Sequence, residues 1–223
     1  MIKKIYFVVL LALCGMGVAN AQSIWASAEA SKKIVGGLSG FGVLEYRTHA
    51  GASSTERWAG TLGLEYKVCD YLKATAAYVY IHSHTEAKGD TPCYWLPKHR
   101  GYVALTGSYS WNNFSFSLRE RYQDTYSTEK VLPNKVLEGK HKHTLRSRLE
   151  VKYSIPKVNL TPYAQCELHN FLTDGMKLEE TRWTAGISYK LDKKNSIELY
   201  YRFIDEVEKI DNHVIGIGYK LKL

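Results

Sequence analysis

"HTLRSRLEVKYS", residues 143–154, decides the fold. Its odd positions read Leu145, Ser147, Leu149, Val151 and Tyr153, and the even positions between them read Arg146, Arg148, Glu150 and Lys152. A period of two is a β-strand with one apolar and one charged face. A soluble sheet hides the first face and wets the second. A membrane barrel turns the first to lipid and the second to its lumen. The remaining sequence chooses between these.

The alternation recurs from about residue 37 to the C-terminus. Leu38, Gly40, Gly42, Leu44 and Tyr46 alternate with Phe41, Val43, Glu45 and Arg47. Trp58, Gly60, Leu62, Leu64 and Tyr66 alternate with Arg57, Thr61, Glu65 and Lys67. Comparable runs start near residues 72, 103, 114, 160, 183, 197 and 215, giving ten runs of about nine to twelve residues with the opening stretch. A tilted membrane strand needs about 9–11 residues, and strands of soluble sheets average about 5–6.

Connections alternate in length. Val68–Tyr71, Ser110–Asn113, Ser154–Val158 and Leu191–Asn195 read as tight turns. Longer polar loops are expected over 48–55, 82–98, 124–143, 170–180 and 204–212. Aromatic residues form two belts. Tyr66, Tyr71, Tyr109, Trp111, Tyr153, Tyr189 and Tyr219 flank the turns, and Trp58, Tyr80, Tyr122, Trp183 and Phe203 flank the loops. The expected fold is therefore all-β: an antiparallel transmembrane β-barrel of about ten strands, with twelve as the alternative. Chain ends and short turns are expected at the periplasmic rim, and longer loops at the extracellular one.

Residues 1–21, MIKKIYFVVLLALCGMGVANA, have the form of a signal peptide: two lysines, a short apolar core and an Ala-Asn-Ala end. The full chain of 223 residues carries a formal net charge of +8. Without Lys3 and Lys4 there remain 28 basic and 22 acidic residues, about +6. The basic residues are spread over the strands, so no nucleic-acid partner is expected. Residues 22–36 form an N-terminal segment or extra strand, because "IWASAEASKKI" at 24–34 also alternates; a helix over ASAEASKK competes with that reading. Residues 37–223 form the barrel. Cys69, Cys93 and Cys166 fall on separate parts of it, and no metal-binding Cys spacing is present.

The succession of short motifs resembles an uncharacterised outer-membrane barrel family, the domain of unknown function 2490 family. The resemblance rests on Trp25 with Lys32-Lys33-Ile34, "LEYR" at 44–47, "LGLEYKV" at 62–68, "KHR" at 98–100 and "LRERY" at 118–122. It continues through "LRSRLEVKYSI" at 145–155, "LTPYAQCEL" at 160–168, "RWTAGISYKLDKKNSIELYYRF" at 182–203 and "IGIGYKLKL" at 215–223. It implies a fold and an outer-membrane location, and no activity. The terminal strand is also similar to the motif read by barrel-assembly machinery, with Leu223 where an aromatic is commoner.

In a membrane barrel, an Arg on the lipid face near the midplane costs about 2–4 kcal/mol. The charged positions are therefore expected to face the lumen. They are Glu45, Arg47, Arg57, Glu65, Arg100, Arg119, Arg121, Arg146, Arg148, Glu150, Glu167, Arg182, Glu198 and Arg202, nine Arg against five Glu. Either they pair into a closed polar core, or the surplus lines a narrow anion-leaning path.

All eight His fall toward the long loops. His82 with His84, and His141 with His143, have a spacing that places each pair on one strand face, but two ligands do not make a metal site. Glu167 with His169 is a candidate orienter–base pair, and Ser83 a candidate nucleophile without a motif around it. The expectation is an integral outer-membrane barrel serving structure, binding or limited permeation of small solutes. No catalytic residue, metal or cofactor is assigned. The alternatives are a barrel enzyme acting on lipid or peptide at the extracellular rim, and a soluble secreted lipid-binding barrel. The expected partners are outer-membrane lipid and lipopolysaccharide, and the assembly machinery through the last strand; the sequence names no solute.

Overall fold

The computed structural model describes residues 23–52, 54–89, 91–133, 135–173, 175–207 and 211–223, and the expected signal peptide lies outside them. Each alternating run is a strand. In chain order these are β1 (Ser23–Val35), β2 (Leu38–Thr48), β3 (Thr55–Cys69), β4 (Leu72–Thr85), β5 (Tyr94–Trp111), β6 (Phe114–Ser127), β7 (Lys130–Leu132), β8 (Lys135–Leu137), β9 (Lys140–Tyr153), β10 (Leu160–Phe171), β11 (Lys177–Lys190), β12 (Asn195–Glu206) and β13 (Asn212–Lys222). Eleven close a ring in the order β1-β13-β12-β11-β10-β9-β6-β5-β4-β3-β2. β7 and β8 form a separate hairpin between β6 and β9.

The count of ten strands, with twelve as alternative, is thus corrected to eleven. β1 is part of the wall, where it pairs antiparallel with β2 and parallel with β13. Strands joined by hairpins alternate in direction, so an odd number brings the first and last strands together running the same way. That seam is the one parallel pairing in an otherwise antiparallel ring. For the same reason the two ends of the described barrel do not share a rim. Ser23 bonds Asn212 beside the β12–β13 connection, whereas Leu223 bonds back to Ser31 near the tight turns.

The strands also outrun their expected limits: β5 has 18 residues and β3 has 15. Much of the expected loop sequence at 82–98, 124–143 and 170–180 is hairpin continued beyond the apolar band. The backbone ladder satisfies its polar groups there as well as in the wall.

Side-chain exposure separates the faces. Leu44 and Leu62 are 71% and 74% exposed, while Arg47 and Glu150, at the opposite parity, are 8% and 7%. Tyr66, Tyr109, Trp111 and Tyr189 are exposed near the short turns, and Trp58, Tyr80, Tyr122 and Trp183 toward the longer connections. Glu120 departs from this pattern. It shares the outward parity of Leu118 and Tyr122 and accepts a hydrogen bond from Ser147 Oγ at 2.7 Å.

Two devices shape the ring. At the β11–β12 turn, Asp192 accepts hydrogen bonds from Asn195 Nδ2 and from the backbone N–H of Lys194 and Asn195, each at 2.7 Å. These bonds, the Asn195 side chain foremost, hold its carboxyl below the usual carboxylate range. Inside, an aromatic ring lies over an inward glycine. A Cβ on Gly216 would sit 1.9 Å from the Tyr200 ring, so only Gly leaves room for that ring. Gly216→Ala should cost about 1–3 kcal/mol by overpacking. Tyr200→Ala should cost less in that background than alone, a coupling readable from unfolding midpoints of the double-mutant cycle.

Candidate functional site: the arginine-lined interior

Eight strands leave an interior just filled by side chains. Eleven enclose more, and here long side chains fill the difference. The inward face of β4 carries Val79 and Ile81, which pack with Ala59 and Tyr102. Across the seam itself, Trp25 of β1, Val214 of β13 and Ile204 of β12 form a second apolar cluster.

Trp25 is 4% exposed, and three guanidinium groups from three strands converge on its ring. Arg47 Cζ lies 3.3 Å from the ring centroid, Arg202 Cζ 5.1 Å and Arg182 Cζ 5.6 Å. Arg182 belongs to β11 and Trp25 to β1, with β13 and β12 between them. The indole and the Arg182 side chain therefore meet inside the wall formed by β13 and β12. Cation–π attraction to the indole face opposes the mutual repulsion of the three arginines.

The charged positions fall into groups. Glu45 is bridged by Arg47, through Nε at 3.0 Å and Nη2 at 2.9 Å, and by Arg57 Nη2 at 2.8 Å. Glu167 gathers Arg146, Arg119 at 3.3 Å and His169 Nε2 at 2.9 Å. His169 Nδ1 faces Glu180 at 2.6 Å, and Glu180 in turn pairs with Arg182 at 2.5 Å. Carboxylate oxygens only accept, so each of these contacts is a hydrogen bond only where the facing ring nitrogen carries its proton.

Toward the short turns, Lys152 pairs with Glu150 at 2.7 Å, Lys220 with Glu198 at 2.8 Å and Lys73 with Glu65 at 2.8 Å. Arg100 and Arg202 donate to hydroxyls, of Thr125 and Thr184, at 2.9 Å each. Arg121 lies over the Tyr102 ring at 3.6 Å. Among the described residues neither Arg121 nor Arg148 has a carboxylate within ion-pair distance.

Four participants were missed by sequence reasoning. Glu180 fell in a presumed loop, and the extension of β11 sets it opposite His169. Trp25 lay in the segment of unassigned role; its parity with Ser27 and Glu29 was the available signal. Val79 and Ile81 sit in a run where both faces are apolar or aromatic, so periodicity is silent there.

The residues considered for chemistry take other roles. Ser83 points inward and donates to the Leu96 carbonyl at 3.1 Å, while its neighbour His82 stacks on Trp95 at 4.8 Å and His84 packs tilted against the same ring at 4.9 Å. His99 and His213 bond the hydroxyls of Tyr78 and Tyr201, at 2.6 and 2.5 Å. His141 and His143 lie beside Asp124 at 2.8 and 3.5 Å. These six histidines thus join the aromatic collar at the long-connection rim, whereas His169 belongs to the buried interior network. Among the described residues, no three His, Cys, Asp or Glu converge as metal ligands. The three described cysteines are free.

A family model described as "Protein of unknown function (DUF2490)" matches residues 22–207. The chain belongs to this family. The matched span runs from the seam strand through β12 and stops short of β13, so it takes in Trp25 with its three arginines and the Glu45 and Glu167 networks but not Val214. No curated protein matches the chain. Among solved structures, it is similar to the anion-selective porin from Comamonas acidovorans, with 14% sequence identity and a TM-score of 0.37. That match covers 85% of this chain and 55% of the porin's.

Proposed function

We propose that this protein is an integral outer-membrane barrel with a constricted, positively charged interior, which binds small anions or lets them pass in limited number. The observation that carries the reading is the cross-section at Trp25, where one buried indole and three arginines occupy the space between β1, β2, β11 and β12. Such a section excludes large solutes, and its surplus of positive charge disfavours cations. The outward band of Leu44, Leu62, Val103, Leu105, Leu118, Leu149 and Ile217 supports a lipid-facing exterior. A water-soluble barrel would expose that band at a large hydrophobic cost.

In this reading the short turns face the periplasm and the longer connections the outside. Lipid and lipopolysaccharide cover the wall, and β13 is the strand offered to the assembly machinery. The rim-enzyme alternative draws no support from Ser83, which turns away from its neighbouring histidines, or from His169, which is held between two carboxylates.

Membrane fractionation followed by solute entry into proteoliposomes tests the proposal. The protein should stay with the outer membrane after alkaline carbonate extraction. The reconstituted protein should admit chloride faster than potassium and exclude a tetrasaccharide. Release without detergent, or free entry of the sugar, would contradict it.

A further inference from the structure

We propose that the inward face of β6 and β9 binds a small free oxyanion of the phosphate type, inorganic phosphate or a phosphate monoester, a proposal that rests on the barrel reading above. Register sets Arg119 directly opposite Arg148 and Arg121 directly opposite Arg146. Residues two apart on a strand share a face. The four guanidinium groups therefore form two successive rungs of like charge. Like charges facing each other across a ladder are destabilising.

The carboxylate compensation is incomplete. Glu167 on β10 takes Arg146 and Arg119. Arg121 has the Tyr102 ring, and Arg148 has no described carboxylate in ion-pair range. The Nε–H donors of Arg119, Arg121 and Arg148 are buried with no protein acceptor. Buried charged donors without acceptors are costly, and here three are gathered on adjoining positions of one face.

The chemistry of the donors selects the ligand. A guanidinium presents a planar fork that pairs two oxygens at once. Alternate residues along a strand lie about 7 Å apart, a gap that forks from both rungs can bridge through one polyoxygen anion. A phosphate offers oxygens to forks from both strands. A carboxylate fills one fork, and chloride gives each donor only a point charge. The face lies inside the ring, so a free anion reaches it and a headgroup held in the bilayer does not.

Isothermal titration calorimetry of the refolded full chain in zwitterionic detergent tests the site, with inorganic phosphate against chloride at equal ionic strength. Wild type should give saturable phosphate binding that chloride does not reproduce. Arg121→Gln and Arg148→Gln should each weaken it by about tenfold or more, the loss of one charge-assisted contact. Both variants remove like-charge repulsion, so their unfolding midpoints in phosphate-free buffer should equal or exceed that of wild type. At equal concentration, phosphate should raise the midpoint of wild type more than that of either variant.

A folded wild-type barrel with no phosphate heat beyond that of chloride would overturn the proposal. So would undiminished binding in the Arg121→Gln/Arg148→Gln double variant, which would place the anion elsewhere. Binding of a short-chain phosphatidic acid without binding of inorganic phosphate would assign the arginines to a lipid headgroup and overturn the free-solute site. A barrel that binds phosphate yet admits no ions loses only the permeation reading; one that admits anions without binding phosphate loses only this site.

Discussion

Trp25→Ala is expected to destabilise the barrel by about 3–5 kcal/mol, the usual cost of truncating a buried aromatic. On the proposed reading it should also widen the path open to ions. The indole is the aromatic surface that Arg47, Arg182 and Arg202 share, and the Tyr200 ring also lies 5.0 Å from Arg202 Cζ. Without it, three guanidinium groups face a cavity and one another. Water enters such a cavity, because its walls are charged. Trp25→Phe keeps a ring for the cations and should lose less on both counts. Denaturant titration in lipid vesicles reads the stability, and ion flux across the same vesicles reads the opening. A Trp25→Ala barrel as stable and as tight as wild type would show that the indole neither holds the seam nor fills the section.

Glu167→Gln is expected to cost a similar amount, about 3–5 kcal/mol, because it leaves buried charge uncompensated while keeping the shape of the side chain. Glu167 is 6% exposed and bridges Arg119, Arg146 and His169. Glu65→Gln makes the matching control. Its partner is Lys73 at 2.8 Å, with both side chains more than a third exposed, so about 0–1 kcal/mol is expected. Unfolding midpoints of the two variants, compared in one lipid, separate the cases. Equal small losses would mean that water reaches Glu167 freely and that the interior is far wetter than its burial indicates.

The legible part of the fold was local. Arg146, Arg148 and Glu150 on one parity and Leu145, Leu149 and Val151 on the other specify the strand and its two faces without any partner. The family resemblance rested on the same alternating segments. The strand count was not legible, because it depends on the parallel pairing of β1 with β13, strands at opposite ends of the described chain. Local pattern shows that residues 24–34 alternate, but not that both neighbouring edges need them.

The grouping of charges was equally non-local. The strands of Arg119 and Glu167 are separated in the ring by β9, so only the curvature of the wall brings the two side chains together. Ile81 and Val79 were hidden for a different reason. In "YVYIH", both parities are apolar or aromatic, and only the register with β3 and β5 decides which side faces inward.

The central claim is that a membrane barrel is constricted at Trp25 and leans toward anions. Single-channel recording of the refolded protein in a planar bilayer, under a salt gradient, tests it most directly. Small, resolved openings with a reversal potential of anionic sign are predicted, together with larger openings in Trp25→Ala. A large sugar-permeable conductance without ion preference, or identical currents in the two proteins, would contradict it.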